Sequence, residues 1–150
     1  MRLAQGDMWS VFEQADLFLV TTNHVVTKDG KLVMGAGIAR QALDRFPDLD
    51  KALGKAVLAA GTPYGLLVSP HWPRAKLGAF QTKGEWKAGA SPALISASTH
   101  MLLEWCNEHP TAQAHLNMPG VGLGGLPREV VLPILEPLPD TVIVWEYRAP

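Results

Sequence analysis

Apolar and polar positions along this chain follow two periods in alternation, and each change of period marks an element. Met1 to Gln5 reads as a short edge strand, which Gly6-Asp7 breaks. A short helix through Met8, Trp9, Val11 and Phe12 follows, with Asp7 as its simplest N-cap. Leu17 to Thr22 is apolar until its two closing threonines, as expected of a strand covered on both faces. In Val25 to Val33, Asp29-Gly30 signals a tight turn and hence a small hairpin flap. Ala39 to Phe46 has helical spacing and stops at Pro47. A second helix is expected from Asp48 to Ala60, with Leu49, Ala52, Leu53, Ala56 and Val57 on one face.

Gly61 to Gly65 is a turn cluster, Leu66 to Ser69 a strand, and Pro70 and Pro73 stiffen a surface loop around His71-Trp72. Lys76 to Thr82 is a further strand. Ser91 and Pro92 open a long helix as N-cap and first helical residue, and His109-Pro110 ends it. Its core face is expected to be Leu94, Ala97, Met101, Leu102 and Trp105. Ala114 to Met118 is a strand, Pro127 to Pro137 a helix opening, and Thr141 to Tyr147 the closing strand.

Strands alternating with helices from end to end predict an α/β domain whose largely parallel sheet is covered on both faces. Ligands in such folds bind beyond the carboxyl ends of the strands. Three features follow strands here: the loop Met34-Gly35-Ala36-Gly37-Ile38-Ala39, Lys83, and the loop Pro119-Gly120-Val121-Gly122-Leu123-Gly124-Gly125-Leu126. Glycines let backbone approach a ligand closely, and the free N–H groups of a first helical turn favour an anion. A phosphate-containing ligand at one end of the sheet is therefore expected.

At 150 residues the chain is a single domain spanning 1–150, and 47% hydrophobic with 18% charged residues is a globular composition. Formal net charge of −1 provides no overall basic field, so a nucleic-acid substrate would need a local patch. Lys28, Lys31, Arg74, Lys76, Lys83 and Lys87, with Trp72 and Trp86, could make such a rim at the cleft mouth; a solvated, mixed-charge surface is the alternative. The lone Cys106 sits in an apolar stretch and is read as a buried structural thiol in a reducing compartment. His71, His100, His109 and His115 lack metal-ligand spacing, so no metal and no cofactor is expected. No basic-then-apolar leader or bilayer-length apolar run is present, so a cytoplasmic protein without a membrane partner is expected. A chain of this size needs no partner to complete its core, and a monomer is expected.

Taken together, Gly6-Asp7-Met8-Trp9, the strand ending in Asn23, the Met-Gly-Ala-Gly-Ile-Ala loop, Phe80-Gln81-Thr82-Lys83 and the second glycine loop resemble a macrodomain, the ADP-ribose-binding α/β/α fold. Phe80-Gln81-Thr82-Lys83 with Trp86 is most similar to the branch of terminal ADP-ribose protein glycohydrolases and the macrodomain of the DarT–DarG antitoxin. Small phage and bacterial proteins assigned to ADP-ribose-1″-phosphate processing belong to the same branch. The resemblance implies three layers around a mixed, largely parallel six-stranded sheet. It implies ADP-ribose, or an ADP-ribosylated DNA, RNA or protein, as ligand, and it raises a toxin as partner.

Carried onto this sequence, the resemblance gives Asp7 the adenine amino group, with the Met8 backbone beside it, and points Asn23 at the distal ribose. Gly35, Ala36, Gly37 and Ile38 would wrap the pyrophosphate and distal ribose. Pro119, Gly120, Val121, Gly122, Leu123 and Gly124 would close over the phosphates from the other side. Trp145 and Tyr147 are both candidates for packing on adenine, and core packing is the other role open to each. Lys83 matches the catalytic lysine, which must be neutral to attack the anomeric carbon.

The glycohydrolases carry an aspartate where this chain has Gly124, and no carboxylate occurs between Pro119 and Pro127. The DarG-type pattern, with glycines there and the lysine kept, fits better. Asp29 or Glu85 could substitute for the missing carboxylate if the flap closes, a solvated surface charge being the other role open to each. His24 could reach the cleft or serve as a loop histidine bonded to backbone. The resemblance thus leaves an ADP-ribosyl glycohydrolase using Lys83, an ADP-ribose-1″-phosphate phosphatase in which His24 or Asn23 orients water, and a non-catalytic binder of ADP-ribose or a related nucleotide signal.

Overall fold

A computed structural model describes residues 1–147 of the chain. Its strands are β1 (Arg2–Gln5), β2 (Leu17–Thr22), β3 (Leu66–Leu67), β4 (Leu77–Gln81), β5 (Ala114–Asn117) and β6 (Val142–Glu146). Its α-helices are α1 (Gly37–Arg45), α2 (Leu49–Ala60), α3 (Pro92–Glu108) and α4 (Arg128–Leu135). The six strands form one sheet in the order β1-β6-β5-β2-β4-β3, parallel throughout except for the antiparallel pair β3–β4. This is the mixed, largely parallel three-layer α/β/α sheet expected.

Because successive side chains of a strand point to opposite faces, β2 feeds two cores. Leu17 and Leu19 join Phe80, Ile95, Leu102 and Leu116 under α3 and α4. Phe18 and Val20 join Trp9, Ala39, Ala42, Leu53 and Val57 under α1 and α2. Cys106 is buried in the first of these cores, where desolvation pushes its thiol above the ordinary value. No helix among the described residues is long and apolar enough to cross a membrane.

Several boundaries and faces differ from expectation. The strand foreseen as Leu66 to Ser69 is only Leu66–Leu67, because Pro70 and the 70–75 turns pull the chain away from the edge. The first α-helix begins at Gly37, two residues earlier than the apolar periodicity implied, because a glycine at φ +57 starts it. The buried face of α3 is Ile95, Ser98, Thr99, Leu102, Trp105 and Cys106, whereas Met101 is 37% exposed and Ala97 is exposed. Ser98 Oγ donates to the Gln81 carbonyl at 2.8 Å, so a polar residue occupies a position that hydrophobic periodicity assigns to the surface.

The flap from Val25 to Val33 closes through a single Val26–Leu32 bridge, with Gly30 at φ +79 in its turn. Leu32 N donates to the Asp50 carbonyl at 2.9 Å, which seats the flap on α2. Gly54 allows this seating, since a Cβ there would stand 2.0 Å from the Gly30 carbonyl oxygen. Backbone cannot swing aside as a side-chain tip can. Gly54→Ala should therefore cost roughly 1–3 kcal/mol by overpacking. A fall of several degrees in Tm, with faster tryptic cleavage at Lys28 and Lys31, would show it; an unchanged melt and digest would refute it.

Candidate functional site

Strands β2, β4 and β5 end side by side, with Thr22 opposite Gln81, and the chain leaves all three on the same edge of the sheet. The loops after them enclose a cleft of about 1520 Å³. Its lining includes Asp7, Met8, Asn23, Gly35, Ala36, Gly37, Ile38, Lys83, Gly120, Val121, Gly122, Leu123 and Gly124. Thus the three strand-end features do converge. Pro119 is the exception among the expected residues: it is buried beneath the loop and does not line the cleft.

One wall is the N-terminus of α1. No side chain caps it, so the N–H groups of its first turn are left for a ligand, at the positive end of the helix dipole. The facing wall is the second glycine loop, whose path needs positive φ at Gly120 and Gly122. Leu123 Cδ1 lies 3.5 Å from the point where a Cβ on Gly37 would stand, so the two glycine loops nearly meet across the cleft. An anion between them would be met by backbone donors from the uncapped helix start.

At the floor, Asn23 is 7% exposed and its side chain is tied to the flap, Nδ2 donating to the Val33 carbonyl and Oδ1 accepting from Val25 N. Lys83 is half-buried, and Nζ donates to the Trp86 carbonyl at 3.0 Å. His24 does not line the cleft. It packs instead behind the lysine loop, its backbone N donating to the Gly84 carbonyl at 3.1 Å. Neither Asp29 nor Glu85 lines the cleft. Nor is the second glycine loop open to a carboxylate as it stands. A Cβ on Gly124 would come within 2.9 Å of Ala90 Cβ, and Ala90 N already donates to the Gly124 carbonyl at 2.9 Å.

At the other end, the Asp7 carboxylate accepts from Trp9 N at 3.0 Å, the N-cap role its position suggested. Its second oxygen is left for another donor. Trp9, Gln41 and Arg45 also line this end and were not foreseen. The Trp9 indole N–H donates to Gln41 Oε1 at 2.8 Å, and the Arg45 guanidinium lies 4.3 Å from the ring centre. Asn117 was missed as well; it bonds Thr21 through both its amide atoms. Its place at the end of β5 is the signal that would have found it.

Trp145 and Tyr147 both line the cleft. Tyr147 is 75% exposed and takes no core role, whereas Trp145 packs partly into the core. Trp145 Nε1 donates to His115 Nδ1 at 2.9 Å. The basic rim does not form as a unit. Arg74 and Lys76 precede β4 and so sit at the opposite edge of the sheet, where Lys76 Nζ donates to the Glu13 carbonyl and lies over Phe12. Trp72 packs there on Trp105 and His109. Of that set only Lys83 and Trp86 line the cleft, with Lys87 Nζ 4.9 Å from the Trp86 ring centre. Among the described residues no three His, Cys, Asp or Glu side chains group as metal ligands.

Burial pushes His115 below its ordinary value, with Asp16 opposing and Arg2 reinforcing. A depressed folded-state value means the unfolded chain binds the proton more tightly, so this contribution is complete above about pH 6.5 and is lost as pH falls below it. Thermal melts should fall across that acidic window. His115→Gln, which keeps an acceptor for Trp145 without titrating, should flatten the dependence; an equal slope in both proteins would refute the assignment.

Comparison with solved structures gives the setting. The macrodomain of Thermus aquaticus DarG matches at 27% identity and TM-score 0.74, over 99% of this chain and 97% of that one. The macrodomain of Mycobacterium tuberculosis DarG matches at 26% identity and TM-score 0.72, over 99% of this chain and 98% of that one. Thermosipho africanus DarTG in complex with ADP-ribose shares the fold at 23% identity and TM-score 0.76; this chain is covered in full but spans 43% of that one. No family model matches the chain, and no curated protein does.

Proposed function

We propose that this chain, which belongs to the macrodomain superfamily, binds ADP-ribose in the strand-end cleft and removes it from a modified nucleic acid or protein. The observation that carries the reading is the company Lys83 keeps. It lines one cleft with both glycine loops, and its Nζ is held by a backbone carbonyl rather than a carboxylate. The uncapped start of α1 and the second glycine loop suit the pyrophosphate. Asp7 suits the adenine amino group, Trp145 offers a flat face at that end, and Asn23 beside the flap suits the distal ribose.

In this reading the neutral amine of Lys83 attacks the anomeric carbon of the distal ribose. The bond from that carbon to the carrier breaks, and the carrier leaves with the proton the amine gives up. Water then displaces the lysine and releases ADP-ribose. A toxin that attaches the ADP-ribose would be the natural partner of such a protein.

A second reading has its own observation. The loop that carries an aspartate in the glycohydrolases has Gly124 here, packed against Ala90 with no room for a side chain. A binder that holds ADP-ribose without cleaving its carrier needs no such carboxylate.

Wild type and Lys83→Ala incubated with ADP-ribosylated DNA, RNA and protein separate the two, with ADP-ribose titrated into both by calorimetry. The hydrolase reading expects release by the wild type, a loss of roughly 10³-fold or more in Lys83→Ala, and ADP-ribose binding by both. Binding by both without release by either would leave the binder. Failure of both to bind would reject ADP-ribose as the ligand.

A further inference from the structure

We propose that Gln81 is the positioning residue that sets Lys83 against Asn23 at the floor of the cleft, an inference that rests on Lys83 being the reacting group. Gln81 is the last residue of β4, 0% exposed, and two positions before the lysine. A buried amide with no partner would be costly, and here every polar group it has is used. Its main-chain N donates to the Gly65 carbonyl at 2.7 Å, and its own carbonyl accepts from Ser98 Oγ at 2.8 Å. Oε1 accepts from Tyr64 N at 3.0 Å and Gly65 N at 3.1 Å.

Those two backbone donors fix which way the amide faces. Nε2 must then point the other way, where the Lys83 carbonyl lies at 3.3 Å and His24 Nδ1 at 3.4 Å. Behind the same loop, a Cβ on Gly84 would stand 2.9 Å from His24 Cε1, so the imidazole closes the space beneath the lysine. The network runs on through Tyr64. Its hydroxyl donates to the Asn23 carbonyl and also meets Thr22 Oγ1. Hydrogen bonds and the Tyr64 side chain therefore join the backbone of Lys83 to the backbone of Asn23. The partly buried Lys83 carbonyl accepts from the Gln81 amide, which holds Tyr64 by its main-chain N, and the Tyr64 hydroxyl reaches the Asn23 carbonyl.

An apolar side chain of similar volume would fill the site, but it would satisfy neither the Tyr64–Gly65 turn nor the lysine carbonyl. Gln81 thus fixes where the root of the lysine side chain sits, and through Tyr64 how far it stands from Asn23.

Gln81→Glu separates positioning from plain support of the fold. The glutamate keeps an oxygen for Tyr64 N and Gly65 N, but when ionised it has no proton to offer the Lys83 carbonyl. When protonated it offers one again. The groups facing it are His24, Lys83 and Tyr64.

The measurements are release of ADP-ribose across the acidic to neutral range, ADP-ribose affinity, and trace acylation of the Lys83 amine read by mass spectrometry, in wild type, Gln81→Glu and Gln81→Met. The inference expects Gln81→Glu to bind ADP-ribose as the wild type does, to turn over about 10²-fold more slowly than the wild type at neutral pH, and to narrow that deficit relative to the wild type at the same pH on acidification. It expects Gln81→Met to stay slow at every pH, and Lys83 acylation to change in both variants. Turnover and acylation matching the wild type would overturn it, as would affinity and turnover falling together with no recovery in acid. If the wild type itself releases nothing, while Lys83 acylation still differs between wild type and Gln81→Glu, Gln81 positions the lysine and the hydrolase reading is the one that fails.

Discussion

The parallel pairing of β2 on both of its sides is the constraint from which the rest of the molecule follows. Leu17, Phe18, Leu19 and Val20 are each 0% exposed, which is possible only where a strand has neighbours left and right and helices above and below. Once β4 and β5 lie parallel to it, all three must end on the same edge. Thr22, Gln81 and Asn117 are brought to one end of the sheet by that alone. As the chain leaves each of these three strands it brings a piece of the cleft: Asn23 and the flap, Lys83 and its loop, and the second glycine loop.

The cleft divides physically into a fixed floor and an open rim. Thr22, Asn23, Tyr64, Gln81 and Thr82 are buried and hydrogen-bonded to one another or to backbone. Leaving any one of these groups unpaired would cost about 1–3 kcal/mol, so the floor behaves as a single unit. Burial raises the Tyr64 hydroxyl well above the ordinary range, which keeps it a neutral donor for the Asn23 carbonyl. The rim is different in kind. Leu123 is 73% exposed, Trp86 47% and Tyr147 75%, side chains that a ligand can move at little cost. A fixed floor and an adaptable rim are what the proposed reading, ADP-ribose held on a bulky carrier, would draw on.

Gly124 shows how local packing bears on mechanism. Its loop is bound to the lysine loop through Ala90, and the approach is too close for a Cβ. The same contact that joins the two loops excludes a carboxylate from the position where the glycohydrolases carry one. In the proposed hydrolase reading, the chemistry draws on Lys83 and on groups from the floor.

The sequence by itself determined the order of the elements, the two glycine loops, the N-caps at Asp7 and Ser91, and the lysine after an apolar strand. These are local matters: periodicity, turn chemistry and spacing act over a few residues and are written where they act. Of the residues that the resemblance named for a ligand, Asp7, Asn23 and both glycine loops line the cleft, and Pro119 does not. Long-range contacts escaped the sequence. The buried face of α3 was misjudged because Ser98 and Thr99 face the sheet, and Ser98 does so for a bond to Gln81 in another element. The basic rim failed because Arg74 and Lys76 enter β4 while Lys83 leaves it, and a strand's length separates its two ends. His115 beneath Trp145 carries no local signal, and Gln81 is legible only as part of the Phe80-Gln81-Thr82-Lys83 motif, not as the partner of Tyr64 and Gly65. Only folding brings a buried donor to its acceptor, and there the tertiary structure decided which polar residues of this chain hold the site and which merely surround it.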